Sequence, residues 1–277
     1  MTTQNTTKHL FYQVRVIMKF KTIKDDPCQY GKIKMSCDDD LEADNKIVEP
    51  LRSFKSGSNI AIIGSSGSGK TNLLISLLSK PKRDGIRRSF KNLFHKIIIV
   101  SPSLHTLQQN NIFKDIPDER KFKDFDCDTL GAIYDELDKS LIEQEEETSK
   151  IFNLIILDDV GSKLKGGAKE KMFVSLMQNR RHYNATIWTV GQRFRDLSHG
   201  HRSNLTHAFI FRPKTYVEAD AIFTELVGIP QKEQKEFIKF LYDDGRYNHL
   251  LIDFTQYFGD GYRFYKKFKL IKMEDDS

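Results

Sequence analysis

The residues Gly64-Ser65-Ser66-Gly67-Ser68-Gly69-Lys70-Thr71 follow the pattern G-x4-GK[ST]. Small residues let backbone N–H groups turn inward around a phosphate, and a helix that follows presents its N-terminus to the same anion. In that arrangement Lys70 reaches the β- and γ-phosphate oxygens and the Thr71 hydroxyl is a Mg²⁺ ligand. The chemistry this predicts is ATP binding by the whole loop, Gly64 to Thr71, with Lys70 also serving catalysis.

A second cluster supplies carboxylates. The run Asn153-Leu154-Ile155-Ile156-Leu157 ends in Asp158-Asp159. An apolar strand ending in acid is the Walker B pattern. Asp158 is expected to hold Mg²⁺ through water, and Asp159 to act as the general base on the attacking water. A glutamate is frequent at the second position in ATP-hydrolysing proteins of this type. Aspartate is one methylene shorter, so the water must lie closer or the strand end must shift.

A third run, Thr186-Ile187-Trp188-Thr189-Val190-Gly191, ends in the amide of Gln192. If its strand lies between the other two, Gln192 approaches the γ-phosphate and senses or orients the water; otherwise it is a solvent-facing loop residue. Trp188 is read as core. Arg180, Arg181, Arg193, Arg195 and Arg202 cluster near these segments. Arg180 and Arg181 end a helix just before the third strand. Either fits a positive charge delivered to a transferring phosphoryl group from a neighbouring subunit, or a cation at a helix C-terminus. His182, His199, His201 and His207 are close in sequence but lack an ordered metal-ligand spacing.

These groups need a scaffold that brings strand ends together. Five short β-branched-rich runs supply it: Asn59–Ile63, Lys96–Val100, Asn153–Leu157, Thr186–Val190 and Ala208–Phe211. Longer segments of helical character separate most of them. Near-continuous apolar strands alternating with helices predict an α/β fold with a mostly parallel sheet covered on both faces. Residues 69–80 read as a helix with Leu73, Leu74, Leu77 and Leu78 on one face, stopped by Pro81. Residues 168–183 show helical spacing through Met172, Phe173, Leu176 and Met177. Residues 217–242 read as two helices parted by Gly228 and Pro230. The acidic middle, 104–150, reads as helix and loop, with 143–150 an exposed helix end. Near the N-terminus, Tyr12, Val14, Val16 and Met18 alternate with Gln13, Arg15, Ile17 and Lys19, which predicts an added strand. The chain divides into an N-terminal extension (1–50), an ATPase core (51–215) and a C-terminal subregion packed on the core (216–277).

The 277 residues are 39% hydrophobic and 30% charged, enough apolar content for a real core and too much for a disordered chain. No apolar stretch is long enough to span a membrane, and the first twenty residues lack a signal peptide's layout. Cys28, Cys37 and Cys127 share no paired spacing and read as ordinary thiols. The formal charge is +6, unevenly spread. Residues 1–24 hold five basic residues and no acid; residues 80–91 hold six against one; residues 110–150 hold thirteen acids against six basic residues. Basic faces of this kind suit a polyanion such as DNA, or simply solvate helices. The tail from Arg263 interleaves aromatics with cations, fitting nucleic acid or an amphipathic edge strand.

The succession GSSGSGKT, HKIIIVSPS, NLIILDDV and LMQNRRHYNATIWTVGQRFRDLS resembles the FtsK–HerA superfamily of DNA-pumping ATPases, and within it the poxvirus-type genome-packaging ATPases of large DNA viruses and virophage-like elements. The similarity covers roughly residues 55–215. It implies a RecA-like core with strand order 5-1-4-3-2, which puts the Gln192 strand between those of Lys70 and Asp158. It also implies a homo-oligomeric ring, commonly a hexamer, with sites at subunit interfaces. The implied activity is translocation of double-stranded DNA into a capsid, with capsid or portal-vertex proteins as partners, in the host cytoplasm (virus factory) and the virion. Gly64, Gly69, Lys70 and Thr71 fall on the phosphate loop, Asp158 on the Mg²⁺ position, Asp159 on the acidic catalytic position and Gln192 on the sensor. Arg180 or Arg181 falls near the trans-acting arginine. Two other classes stay open: another P-loop phosphotransferase, against whose GTPase form the absence of an NKxD motif weighs, and a nucleotide-dependent scaffold or switch.

Overall fold

The computed structural model describes residues 19–22, 54, 57–78, 90–105, 111–147, 149–258 and 261–274. Among these, ten strands form one sheet: β1 (Lys19–Thr22), β2 (Asn59–Ile63), β3 (Lys96–Val100), β4 (Lys121–Phe122), β5 (Asn153–Asp158), β6 (Ala185–Gly191), β7 (His207–Phe211), β8 (His249–Phe258), β9 (Gly261–Lys266) and β10 (Lys269–Glu274). Their order is β1-β10-β9-β8-β7-β2-β6-β5-β3-β4. The segment from β7 through β4 is parallel, and β8 to β10 and β1 add antiparallel pairs beyond β7. The five predicted strands take the order 5-1-4-3-2, so β6 separates β2 from β5.

Burial explains why the core strands read as unbroken apolar runs. Ile60 and Ile62 of β2 face one side of the sheet, while Ala61 and Ile63 face the other. In β5, Leu154 and Ile156 share the first side, and Ile155 and Leu157 the second. Neither face meets water, so both are mostly apolar, and the few polar residues, such as Thr186 and Thr189 of β6, are themselves buried. Helix α1 (Lys70–Leu78) covers the first side with Leu74, Leu77 and Leu78. Trp188 is buried on that side against Phe90 and Phe94.

The short α2 (Asn111–Lys114) precedes the long acidic α3 (Cys127–Glu147). The Asp126 carboxylate accepts from the Thr129 N–H at 2.8 Å and caps α3. The second side of the sheet is covered by α3, α4 (Gly167–Asn179), α6 (Tyr216–Ile222) and α7 (Gln231–Tyr242). The one-turn α5 (His199–Ser203) follows β6. Between α6 and α7 lie a π-turn (Phe223–Val227), Gly228 in the left-handed region and Pro230, as the punctuation predicts.

Several expectations change. Helix α4 stops at Asn179, and a turn occupies 180–184. The tail from Arg263 is a hairpin, β9 and β10 joined through Lys267 at φ 49, and β1 pairs with the far side of β10. It is therefore not an edge strand. Strands β4 and β8 were not expected. The alternating segment 12–18 and most of the basic segment 80–91 lie outside the described residues, as does all of 1–18.

Candidate functional site

The carboxyl ends of β2, β5 and β6 meet at one cleft of about 230 Å³. Its walls include Ser66, Gly67, Lys70 and Thr71 from the phosphate loop, Asp158 and Asp159 after β5, and Gln192 after β6. Ser103, from the segment after β3, closes it. Crevices of this kind, outside the carboxyl ends of parallel strands, are where open α/β sheets bind ligands.

The loop's shape follows from its glycines. Gly67 and Gly69 hold φ of 73° and 103°, which a side chain resists. Gly64 lies against Phe211; a Cβ there would meet the Phe211 Cβ at 2.6 Å. The loop is tied by Ser68 N–H to Ser65 O at 3.2 Å, and the Lys70 ammonium donates to Ser65 O at 2.9 Å. Burial pulls the Lys70 pKa down, against the pull of Asp159 and Asp158.

Asp158 is buried at the end of β5. Burial drives its pKa upward; the Ser101 hydroxyl opposes that by donating to Oδ2 at 2.9 Å, Asp159 adds to it and Lys70 opposes it. The Asp158 carboxylate and the Thr71 hydroxyl line the same cleft, a hard-oxygen donor set of the kind that Mg²⁺ takes. Ser101 has a role the sequence reading did not give it. The Ser-Pro-Ser run marked the family resemblance, and the closeness of β3 to β5 turns its first serine onto Asp158.

Asp159 leaves the strand with φ 54, a left-handed conformation that aspartate tolerates better than bulky residues. Its N–H donates to Val190 O at 2.9 Å, fixing the turn. Its carboxylate faces Gln192, whose amide nitrogen donates to Oδ1 at 2.9 Å and Oδ2 at 3.1 Å. Gln192 is exposed, in the bend after β6, and its amide is turned to Asp159.

The two arginines separate. Arg180 is buried and donates to the carbonyls of Gly57 and Met177. This is a correction: its guanidinium is committed to the end of α4 and the start of β2, so it cannot extend to another subunit. Arg181 is exposed, with its stem against Gly57. Both lie before β6, at the opposite end of the parallel strands from the phosphate loop. A five-residue strand spans roughly 16 Å, which puts Arg181 out of reach of its own chain's phosphates. Arg202 is engaged with Glu225 at 2.6 Å and Leu197 O at 2.7 Å, while Arg193 and Arg195 are exposed. The histidines diverge: His201 is buried against Phe173 and Thr189, and His207 faces Asp253 at 3.4 Å. No group of three potential metal-binding His, Cys, Asp or Glu occurs among the described residues.

The crystal structure of B204, the DNA-packaging ATPase from Sulfolobus turreted icosahedral virus, is similar over 71% of this chain and 92% of its own, with 16% identity and a TM-score of 0.47. EssC (ATPases 2 and 3) from Geobacillus thermodenitrificans is similar over 78% of this chain and 39% of its own, with 15% identity and a TM-score of 0.46. Uncharacterized protein 015R of Frog virus 3 (isolate Goorha) is 24% identical over 195 residues, which is 70% of this chain and 55% of that protein. Uncharacterized protein 088R of Invertebrate iridescent virus 3 is 26% identical over 177 residues, 62% of this chain and 60% of that protein. The chain spans somewhat over half the length of these two relatives. The family described as Poxvirus A32 protein matches residues 51–234, a stretch that contains every candidate site residue. The chain therefore belongs to the poxvirus A32 protein family.

Proposed function

We propose that the protein is an ATP-driven double-stranded DNA translocase that packages a viral genome into a capsid. The observation that carries this reading is the convergence of Lys70, Thr71, Asp158, Asp159 and Gln192 on one cleft in a chain of the A32 family. Proteins of similar fold are consistent with it: B204 of Sulfolobus turreted icosahedral virus is described as a DNA-packaging ATPase, and that of Sulfolobus turreted icosahedral virus 2 as a genome-packaging NTPase in complex with ATP-gammaS.

The chain's own groups divide the work. Backbone N–H groups from Gly64 to Thr71 seat the phosphates, and the Lys70 ammonium exchanges the Ser65 carbonyl for β- and γ-oxygens. Thr71 and Asp158 would hold Mg²⁺, which would neutralise phosphate charge. Asp159 takes the proton of the attacking water, and Gln192 orients that water. Arg181 acts from the neighbouring subunit of a ring, with six copies as the favoured number, because it cannot reach its own phosphates. The core, 51–215, carries the chemistry, while 216–277 packs on it and 1–50 extends it. Double-stranded DNA and capsid or portal-vertex proteins are the partners, in the virus factory of the host cytoplasm and in the virion. No helix among the described residues is long and apolar enough to cross a membrane.

The test is steady-state ATP hydrolysis with and without linear double-stranded DNA, at low and moderate salt, for the wild type and Asp159→Asn. The expected result is a rate that DNA stimulates, that salt weakens steeply and that Asp159→Asn abolishes. Turnover indifferent to DNA at every salt concentration would favour a phosphotransferase. ATP binding without turnover, even with capsid proteins present, would favour a scaffold or switch.

A further inference from the structure

The cleft has a polarity. The groups facing the γ-phosphate end, Asp158, Asp159 and Gln192, come from β5 and β6, on one side of β2. A nucleotide laid along the loop therefore runs its nucleoside toward the other side of β2, where β7 and β8 lie. The cleft itself has no aromatic lining and a single apolar side chain, Val190. A platform for the base has to lie outside it.

The turn between α7 and β8 occupies that place. A Cβ at Gly69 would stand 3.1 Å from Tyr247 Cδ1 and 3.5 Å from Phe211 Cε1; one at Gly67 would stand 3.9 Å from Arg246 Nη2. The turn lies over the phosphate loop at the start of α1. It is held firmly. Asn248 is fully buried and donates to Leu241 O at 3.1 Å and to the Asp244 carboxylate. Asp244 also pairs with Lys266 at 2.8 Å, and Lys266 donates to Phe240 O at 2.6 Å. From this locked turn Tyr247 projects with 57% of its surface exposed, a large value for an aromatic ring beside a phosphate loop. The Arg246 guanidinium stands over the ring, 5.5 Å from its centroid.

We propose that Tyr247 is the stacking platform for the nucleobase, backed on one face by Arg246. This rests on the reading of residues 64–71 as the phosphate site. The ligand class is a nucleoside triphosphate. Stacking uses the π-face that every base offers, so this contact adds affinity without distinguishing adenine from guanine. A rigid ring already in place loses little conformational freedom on binding.

The test is calorimetric titration with Mg·ATP, Mg·GTP and Mg·tripolyphosphate of the wild type, Tyr247→Ala, Tyr247→Phe and Lys70→Ala. Tyr247→Ala is expected to weaken ATP and GTP by about tenfold or more, equivalent to about 1.4 kcal/mol, and to leave tripolyphosphate unchanged. Tyr247→Phe is expected to bind both nucleotides like the wild type, and Lys70→Ala to lose all three ligands. ATP affinity unchanged in Tyr247→Ala overturns the proposal. So does an equal loss of tripolyphosphate, which would mean that Tyr247 only shapes the loop. A wild type that binds neither ATP nor tripolyphosphate would instead sink the phosphate-site reading beneath it, and the Lys70→Ala comparison separates the two failures.

Discussion

Gln192 holds Asp159 by both carboxylate oxygens, at 2.9 and 3.1 Å, through one amide nitrogen. The two residues end different strands, β5 and β6, and the contact exists because β6 is β5's neighbour. In the proposed mechanism Asp159 is the base and Gln192 orients the water, so this contact couples the two roles. Gln192→Ala removes both the restraint and the water-orienting group. We expect turnover to fall by about 10²-fold or more, with ATP affinity within a few-fold of wild type. Asp159→Asn is expected to fall at least as far, again with binding intact. Single-turnover hydrolysis with a separate binding titration checks both; a loss confined to affinity would refute the assignment.

Ser101 offers a different lever. Its hydroxyl donates to Asp158 Oδ2 and opposes the effect of burial. Ser101→Ala leaves burial less opposed, so the Asp158 pKa rises further. The carboxylate is then protonated over a wider range on the acid side, and the defect must grow as pH falls. We expect the Mg²⁺ concentration for half-maximal ATPase to rise by about tenfold, and more at pH 6 than at pH 8. A Mg²⁺ requirement unchanged across that range would remove Ser101 from the site.

Much of this site is legible before any coordinates. The phosphate loop and the Asp158 strand combine a motif with its flanking elements, and the five apolar runs state a doubly covered sheet. What escapes is set by tertiary neighbours. Ser101 looks like any strand-ending serine until β3 pairs with β5. Strand β8 has a short apolar run, Leu250–Ile252, followed by polar and aromatic residues, and its pairing with β7 and β9 makes it a strand. Arg180 and Arg181 are adjacent and alike in sequence, yet the turn after α4 directs one into the protein and the other out. Tyr247 lies in a turn distant in sequence from the loop it touches.

The arginine doublet therefore predicts two different phenotypes. Arg180→Ala leaves the buried carbonyls of Gly57 and Met177 without their donor, which costs about 1–3 kcal/mol. At this chain length that lowers the melting temperature by about 2–4 °C per kcal/mol. Arg181→Ala is expected to leave the melting temperature unchanged and to abolish turnover in the assembled ring. If Arg181 serves the neighbour's site, as proposed, mixing Arg181→Ala with Lys70→Ala subunits restores part of the activity that neither has alone. If the mixture stays inactive while still assembling, the trans role of Arg181 is wrong.

Acid should unfold the protein from its buried histidines. His201 is fully buried and burial lowers its pKa to about 3; His249 is lowered to about 4 for the same reason. Unfolded, each takes a proton near pH 6.5. Between that value and the folded pKa the unfolded chain binds more protons, so stability is full above about pH 6.5 and falls as pH drops. Each histidine contributes a slope of up to about 1.4 kcal/mol per pH unit in that window. Melting temperatures measured from pH 8 to pH 4.5 should be flat above pH 7 and decline below about pH 6.5. The decline should be shallower in His201→Gln, whose side chain does not titrate. An equally steep decline in that variant would place the acid sensitivity elsewhere.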